Sequence, residues 1–395
     1  MRAIQFDLRD PDFPASLVDL APPRLPGTAW ARIAVTAGGI CGSDLHLFGH
    51  NSTPSPTLLS MGSIPFVLGH EIIGRVTEAG MDCPYPVGTR VAIDPCIPCL
   101  PRGIAPLCTN CARGWTSLCL NLDSGVVSTG RTLGFTANLG GGWCEQVLAH
   151  ASMLHLIPDA LPDRHACLHE PVSIACHGLV RTPPNDGDSV LVVGAGIIGL
   201  AAVAALKGLF PSCPVTVLAR HPHQAAAAEA CGADHVVRTD DASAHFEELA
   251  RIAGARPIGA GTDVMLLGGF SLVVEAVGTA RAVTEALRAV AHRGTVLLLG
   301  VAGISEVDLT PLWYKEAALT GSIDHAVDPL SAPGLASSPD RHSVDRALDI
   351  LKAGLLPPEV VVTHEFPLEA YREALDTAID KGTSHAIKVV FRPQQ

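Results

Sequence analysis

Ser189-Val190-Leu191-Val192-Val193-Gly194-Ala195-Gly196-Ile197-Ile198-Gly199-Leu200 decides the fold of this chain. An apolar run, a G-x-G-x-x-G and an Ala-rich stretch to about Leu209 read as strand, tight turn and helix in immediate succession. Gly194 allows the turn, Gly196 lets the backbone approach a pyrophosphate, and Gly199 lets helix and strand pack closely. The helix that Ile197 and Ile198 open presents unpaired N–H groups to phosphates. Downstream, Val215–Leu218 reads as a second strand, 224–231 as a helix and His235–Val237 as a third strand. Leu272–Glu275, a helix over 280–291 and Thr295–Gly300 continue the alternation. Strands alternating with helices give a doubly wound α/β domain with a parallel sheet, here over 173–324.

Upstream the pattern changes. Trp30–Thr36, Ile64–Gly69, Ile72–Gly80 and Gly88–Ile93 read as short strands, with a Ser/Thr/Pro/Gly loop over 49–65. The region before residue 172 is therefore a separate, β-rich domain. The last seventy or so residues carry amphipathic helices around Asp345–Lys352 and Leu368–Asp380 and end on a strand, Ala386–Phe391. A strand so late is expected to rejoin the first domain, which then comprises 1–172 and 325–395.

Chemistry concentrates at Gly38-Gly39-Ile40-Cys41-Gly42-Ser43-Asp44-Leu45-His46 and at Gly69-His70-Glu71. Cys41 and His70 are the sulfur and nitrogen donors that zinc prefers. Ser43, Asp44 and His46 add a hydroxyl, an acid and a base beside the thiolate, as a proton relay would need. Glycines before and after Cys41 suggest a backbone that passes close to something. The pattern turns helical from Leu168, and Pro171 suits a first helical turn. Glu170, just ahead of it, either offers a metal a carboxylate or is an ordinary helix-start acid.

Five of the twelve cysteines fall between Cys96 and Cys119. Cys108-x2-Cys111-x7-Cys119 supplies three thiolates, and Cys99 or Cys96 the fourth. In a reducing compartment such a cluster reads as a closed structural zinc site. The residues between are not core material, so the metal replaces a core that the loop lacks.

Composition sets the remaining bounds. Hydrophobic residues at 48% with 17% charged are a globular balance, and a net charge of −12 argues against nucleic acid as a partner. No run of eighteen apolar residues occurs, so no membrane span is expected. The first seven residues lack an apolar core for export, so no signal peptide and a cytoplasmic location are expected.

Together these residues resemble the zinc-dependent medium-chain alcohol dehydrogenase family over nearly the whole chain. Gly39–His46 looks like its catalytic-zinc segment and Gly69-His70-Glu71 like its second ligand segment. Glu170-Pro171 resembles the pair found in the polyol and threonine dehydrogenase branches. The resemblance implies a GroES-like catalytic domain followed by a Rossmann domain. It also implies catalytic zinc on Cys41, His70 and Glu170, with Glu71 an alternating or supporting carboxylate and Asp44 orienting His70. Ser43 and His46 would relay the alcohol proton while hydride passes to a nicotinamide. A second, structural zinc would sit on Cys99, Cys108, Cys111 and Cys119. The spacing departs from the family's C-x2-C-x2-C-x7-C, because eight residues separate Cys99 from Cys108. That leaves Cys96 open as the alternative first ligand.

Another departure lies at the ribose. Family members that use NAD carry an Asp where this chain has Ala219, followed by Arg220 and His221. No carboxylate meets the ribose hydroxyls and a cation is placed for a 2′-phosphate, so NADP is favoured over NAD. The alternative is an Arg220 that stacks on adenine, with NAD still used. Lys388 matches a basic position that contacts the pyrophosphate in the family. The expected activity is reversible oxidation of a small-molecule alcohol, with secondary alcohols or polyols favoured, by a homodimer or homotetramer. The rivals are a zinc-free enone reductase of the same superfamily, which needs none of Cys41, His70 or Glu170, and a non-catalytic dinucleotide sensor.

Overall fold

A computed structural model describes residues 1–9, 13–48, 62–239, 244–330 and 338–394. The chain divides into two units, one of Met1–Glu170, Asp324–Val327 and Val362–Gln395, the other of Pro171–Ile323 and Asp328–Val361.

The second unit is built on a six-stranded sheet in the order His235–Arg238, Val215–Ala219, Val190–Val193, Phe270–Glu275, Val290–Leu298 and Ala318–Gly321. All neighbours pair in parallel. A parallel sheet is covered on both faces, so its central strands are continuous apolar runs, and every residue of Val190–Val193 is buried. The strand order reverses beside Val190–Val193, the switch point where open α/β sheets bind ligands. Helix Ile197–Leu209 leaves that strand through the glycine turn. A Cβ on Gly199 would stand 1.9 Å from the Gly194 carbonyl oxygen, which no rotamer change relieves. Gly199→Ala is expected to cost roughly 1–3 kcal/mol of stability, read as a fall in the urea midpoint. An unchanged midpoint would refute this account of close packing.

Most elements lie where the sequence puts them. The helix over 224–231 is Pro222–Ala230, and that over 280–291 ends at Ala289, where Val290 begins a strand. The hairpin Arg256–Ala260 with Asp263–Leu267 was not legible, because Pro257 and Gly259 read locally as strand breakers. Helix Ala244–Ala253 was also missed. Residues 328–361 stay with this unit instead of returning to the first. Their helix Ser343–Lys352 packs on Ile197–Leu209, with a Cβ on Gly208 only 3.0 Å from Ile350.

The first unit carries a seven-stranded sheet. Val362–Phe366, Lys388–Phe391, Trp30–Gly39, Glu71–Ala79, Arg90–Ile93 and Leu154–Leu156 lie side by side, and Gln146–His150 also pairs with Trp30–Gly39. The final strand returns here, with Val390 opposite Gly39 and Phe391 opposite Gly38. The loop expected over 49–65 lies outside the described residues as far as 61.

Candidate active site

Cys41 stands where strand Trp30–Gly39 gives way to the short helix Gly42–His46. The approach is fixed on two sides. Trp143 Nε1 donates to the Gly39 carbonyl at 2.9 Å, and the Ile40 N–H donates to the Val389 carbonyl at 3.0 Å. The glycines have specific neighbours: a Cβ on Gly38 would lie 2.0 Å from the Gly142 oxygen, and one on Gly39 would lie 1.9 Å from Glu71 Oε2. Gly42 has nothing within 4 Å, so close approach does not explain it. Buried Asp44 accepts the Cys41 N–H at Oδ2, 2.9 Å, and its Oδ1 lies 3.5 Å from His70 Nδ1. Leu45 anchors the helix in a cluster with Trp143, Leu368 and Leu375.

His70 follows Gly69, whose φ of +90° and closeness to the Trp143 ring both demand glycine. Glu71 opens the next strand opposite Gly39. One donor atom each from Cys41, His70 and Glu71 falls within a 4.8 Å group. Ser43 Oγ is 3.5 Å from His70 Nε2. His46 is three residues on, a spacing that shares a helix face, and is partly exposed. Burial opposes a charge on His70, but Asp44 and Cys41 outweigh it and hold its pKa well above the ordinary value. Asp44 Oδ1, His70 Nδ1 and Glu71 Oε2 are buried without a well-formed hydrogen bond, despite their ion-pair contacts. A thiolate, an imidazole and a carboxylate converging with a strong demand for positive charge fit a zinc ion.

Two corrections concern the surrounding charges. Lys388, placed by the resemblance at a pyrophosphate, faces Glu71 within the first unit. Its ammonium is wholly buried in the first unit, paired with Glu71 and donating to the Ile40 carbonyl at 2.9 Å. Burial raises the pKa of Glu71, and Lys388 is the main influence opposing that rise. Glu71, expected as the alternating or supporting carboxylate, is in the group with Cys41 and His70, and Glu170 is not. The helix begins at His169 with Pro171 in its first turn, and Glu170 Oε1 sits 3.3 Å from His325 Nε2. Burial would raise the Glu170 pKa, but the His325 imidazolium in ion-pair contact with it brings it below the ordinary value. His325 Nδ1 in turn lies 3.2 Å from Asp94 Oδ1. Burial disfavours the imidazolium, yet the two acids carry its pKa up to about 9. Neither His325 nor Asp94 has a motif that sequence reasoning could have used.

The four-thiol group consists of Cys99, Cys108, Cys111 and Cys119. Cys96 lies apart, its sulfur 3.9 Å from His325 Nδ1. Zn–S bonds of about 2.3 Å put tetrahedral sulfurs about 3.8 Å apart. The Cys119 sulfur is 3.6 Å from that of Cys99 and 4.0 Å from that of Cys108. Backbone N–H groups of Leu120 and Cys111 point at the Cys108 sulfur. Although burial raises its pKa, these bonds bring it down to about 6, toward the thiolate that a metal needs. Buried Arg102, also unforeseen, ties the lobe together by donating to the carbonyls of Ile97, Ser124 and Gly130.

In the second unit, a Cβ on Gly196 would meet nothing within 4 Å. That open space at the N-terminus of helix Ile197–Leu209 suits a dinucleotide phosphate. Ala219 ends its strand buried, Arg220 is exposed, and His221 stands just ahead of helix Pro222–Ala230 without a side-chain capping bond. Arg238, on the neighbouring strand, sits in register with Ala219 and was not anticipated.

Residues 27–159 match the family model described as an alcohol dehydrogenase GroES-like domain, and 198–328 match that of the zinc-binding dehydrogenases. The chain belongs to the zinc-dependent medium-chain alcohol dehydrogenase family. It is 26% identical to the sorbitol dehydrogenase of Bacillus subtilis (strain 168) over 92% of this chain and 90% of that protein. It is 27% identical to the starvation-sensing protein RspB of Escherichia coli (strain K12), over 93% of each. Among solved structures, RspB of Escherichia coli CFT073 complexed with NADH matches with a TM-score of 0.74 at 27% identity, covering 99% of both chains. A structure described as a zinc-binding dehydrogenase of Sinorhizobium meliloti 1021, bound to NADP, matches with a TM-score of 0.73 at 25% identity and the same coverage. No helix among the described residues is long and apolar enough to cross a membrane.

Proposed function

We propose that this chain is a zinc-dependent dehydrogenase of polyols or other secondary alcohols that transfers hydride reversibly to NADP in preference to NAD. The convergence of Cys41, His70 and Glu71 beside Ser43 is the observation that carries this reading. Relatives described as sorbitol dehydrogenase and as erythritol/L-threitol dehydrogenase favour the polyol class. Cys41, His70 and Glu71 hold the catalytic zinc, and Cys99, Cys108, Cys111 and Cys119 hold a structural one. A zinc ion held there would supply Lewis acidity toward a substrate oxygen, and a bound nicotinamide would supply the hydride acceptor.

The chain's own groups do the rest. Asp44 fixes His70 and the Cys41 backbone, so both donors keep their aim. Lys388 balances the charge of Glu71. Ser43 takes the alcohol proton and passes it toward His46, whose partial exposure gives it access to water. Gly194, Gly196 and Gly199 shape the phosphate cradle ahead of Ile197 and Ile198. We assign the working form to the cytoplasm as a homodimer or homotetramer, in keeping with exposed Leu107, Trp115 and Leu120 on the four-thiol lobe. A panel of polyols and secondary alcohols, followed by nicotinamide fluorescence together with zinc analysis, tests the whole. Two zincs per chain and turnover of a polyol support it. One zinc and no turnover would favour a dinucleotide sensor, and no zinc with enone reduction would favour the reductase.

Cofactor choice gives a further test. Arg220, with His221 beside it, offers the 2′-phosphate a charge-assisted hydrogen bond, and Ala219 offers no acid to repel it. Such a bond contributes about 1.5 kcal/mol or more, roughly tenfold in affinity. Arg220→Ala should raise the Kd for NADP about tenfold and leave that for NAD nearly unchanged. Ala219→Asp should reverse the preference. A parent enzyme that prefers NAD in titration overturns the cofactor assignment and leaves the dehydrogenase reading standing.

A further inference from the structure

Two buried carboxylates flank Cys41 and His70, and each has its own cation. Glu71 is paired with Lys388, and Glu170 with His325. Yet only Glu71 joins the Cys41–His70 group. The His325 ring faces a carboxylate at each end: Nδ1 is hydrogen-bonded to Asp94 Oδ1 at 3.2 Å, and Nε2 makes an ion-pair contact with Glu170 Oε1 at 3.3 Å. All three side chains are at least nine-tenths buried, with Asp94 at 5%, Glu170 at 4% and His325 at 0% exposure. The segment that carries the ring, Asp324–Val327, belongs to the first unit although the chain on either side belongs to the second. Asp324 is ion-paired with Arg131, and Ala326 is buried, so the segment is anchored apart from the acids that the ring touches.

We infer that His325 is a positioning residue: it holds Glu170 away from the Cys41–His70–Glu71 group and so keeps one position there open for the substrate oxygen. A catalytic zinc uses three protein donors and one open position. Cys41, His70 and Glu71 already supply three, and a second carboxylate would close the site. A buried carboxylate deprived of its cation is costly, and with Lys388 already paired to Glu71 the metal is the positive charge free to take it. His325 removes that incentive, and Asp94 fixes the ring so that it stays where Glu170 needs it. The inference rests on the reading that Cys41, His70 and Glu71 hold zinc.

The test follows loss of zinc from the holoenzyme to a chromophoric chelator. Cys111→Ser identifies the phase that belongs to the four-thiol site, and Cys41→Ser identifies the catalytic phase. His325→Gln should slow the catalytic phase about tenfold or more, because Glu170 now adds a donor, and should lower kcat. Glu170→Gln alone should leave that phase within about twofold of the parent, and the His325→Gln/Glu170→Gln double variant should return to the parental rate. Simple damage to the fold would speed zinc loss, and removing Glu170 would not repair it. A faster or unchanged catalytic phase in His325→Gln overturns the inference. So does a Glu170→Gln variant that loses zinc as readily as Cys41→Ser, because Glu170 would then already be a donor. If His325→Gln fails to fold, Asp94→Asn keeps the shape and loosens the ring. It should slow the same phase, reversibly by Glu170→Gln, and no slowing overturns the inference. A catalytic phase that survives Cys41→Ser defeats instead the zinc reading on which this rests.

Discussion

Cys41→Ser is expected to abolish alcohol oxidation while leaving dinucleotide binding intact. A serine hydroxyl stays protonated where the thiolate carried charge, so the site keeps only an imidazole and a carboxylate already paired with Lys388. Zinc on two donors of this kind is held weakly, and without it nothing polarises the substrate oxygen. Losing about 4 kcal/mol of transition-state stabilisation corresponds to about a thousandfold in rate, and the loss here should reach at least that. Removal of the thiolate also takes away one of the two charges that raise the His70 pKa. The phosphate cradle lies in the second unit, beyond strand Val190–Val193, and should bind cofactor as before. The measurements are kcat/KM, zinc per chain and fluorescence titration with NADP. Turnover near the parental rate would refute the catalytic assignment, and loss of cofactor binding would show that the variant had unfolded.

The other large effect is expected at Cys111→Ser. The lobe around the four thiols has almost no apolar interior. Its buried cluster is Cys99, Cys111 and Cys119, with only Ile104 and Cys108 packed against them. Leu100, Leu107, Trp115, Leu118, Leu120 and Val126 are all exposed. Structural zinc on four thiolates contributes on the order of 10 kcal/mol in isolated zinc-binding peptides, and here it stands in for the missing core. With three thiols left, the lobe should open locally, held by Arg102 with its carbonyl partners and by short-range backbone hydrogen bonds. Expected results are one zinc fewer per chain, new protease cleavage between residues 100 and 130, and a lower temperature of aggregation. Unaltered zinc content with the parental cleavage pattern would rule out a structural metal there.

Short-range chemistry was legible from the chain alone. The run from Ser189 to Leu200 specifies strand, turn and helix because each glycine acts on atoms a few residues away, as Gly199 does on the Gly194 carbonyl. Three of the four clustered thiols come within twelve residues of one another, and Cys41 and His70 sit in short motifs whose glycines point to crowded backbone. The first thiol, by contrast, needed the tertiary structure, which places Cys99 with the others and Cys96 beside His325.

The sequence by itself determined the fold class, the two stretches that gather metal donors and the glycine turn from strand to helix, because periodicity and donor spacing act between near neighbours. Only the tertiary structure decided which carboxylate joins Cys41 and His70, and which cation faces each acid. Lys388 reaches the Ile40 carbonyl from 348 residues away, and His325 reaches Asp94 from 231 residues away. No local pattern records such pairs, since a buried charge finds its partner through the packing of sheets and returning segments, whatever their separation along the chain.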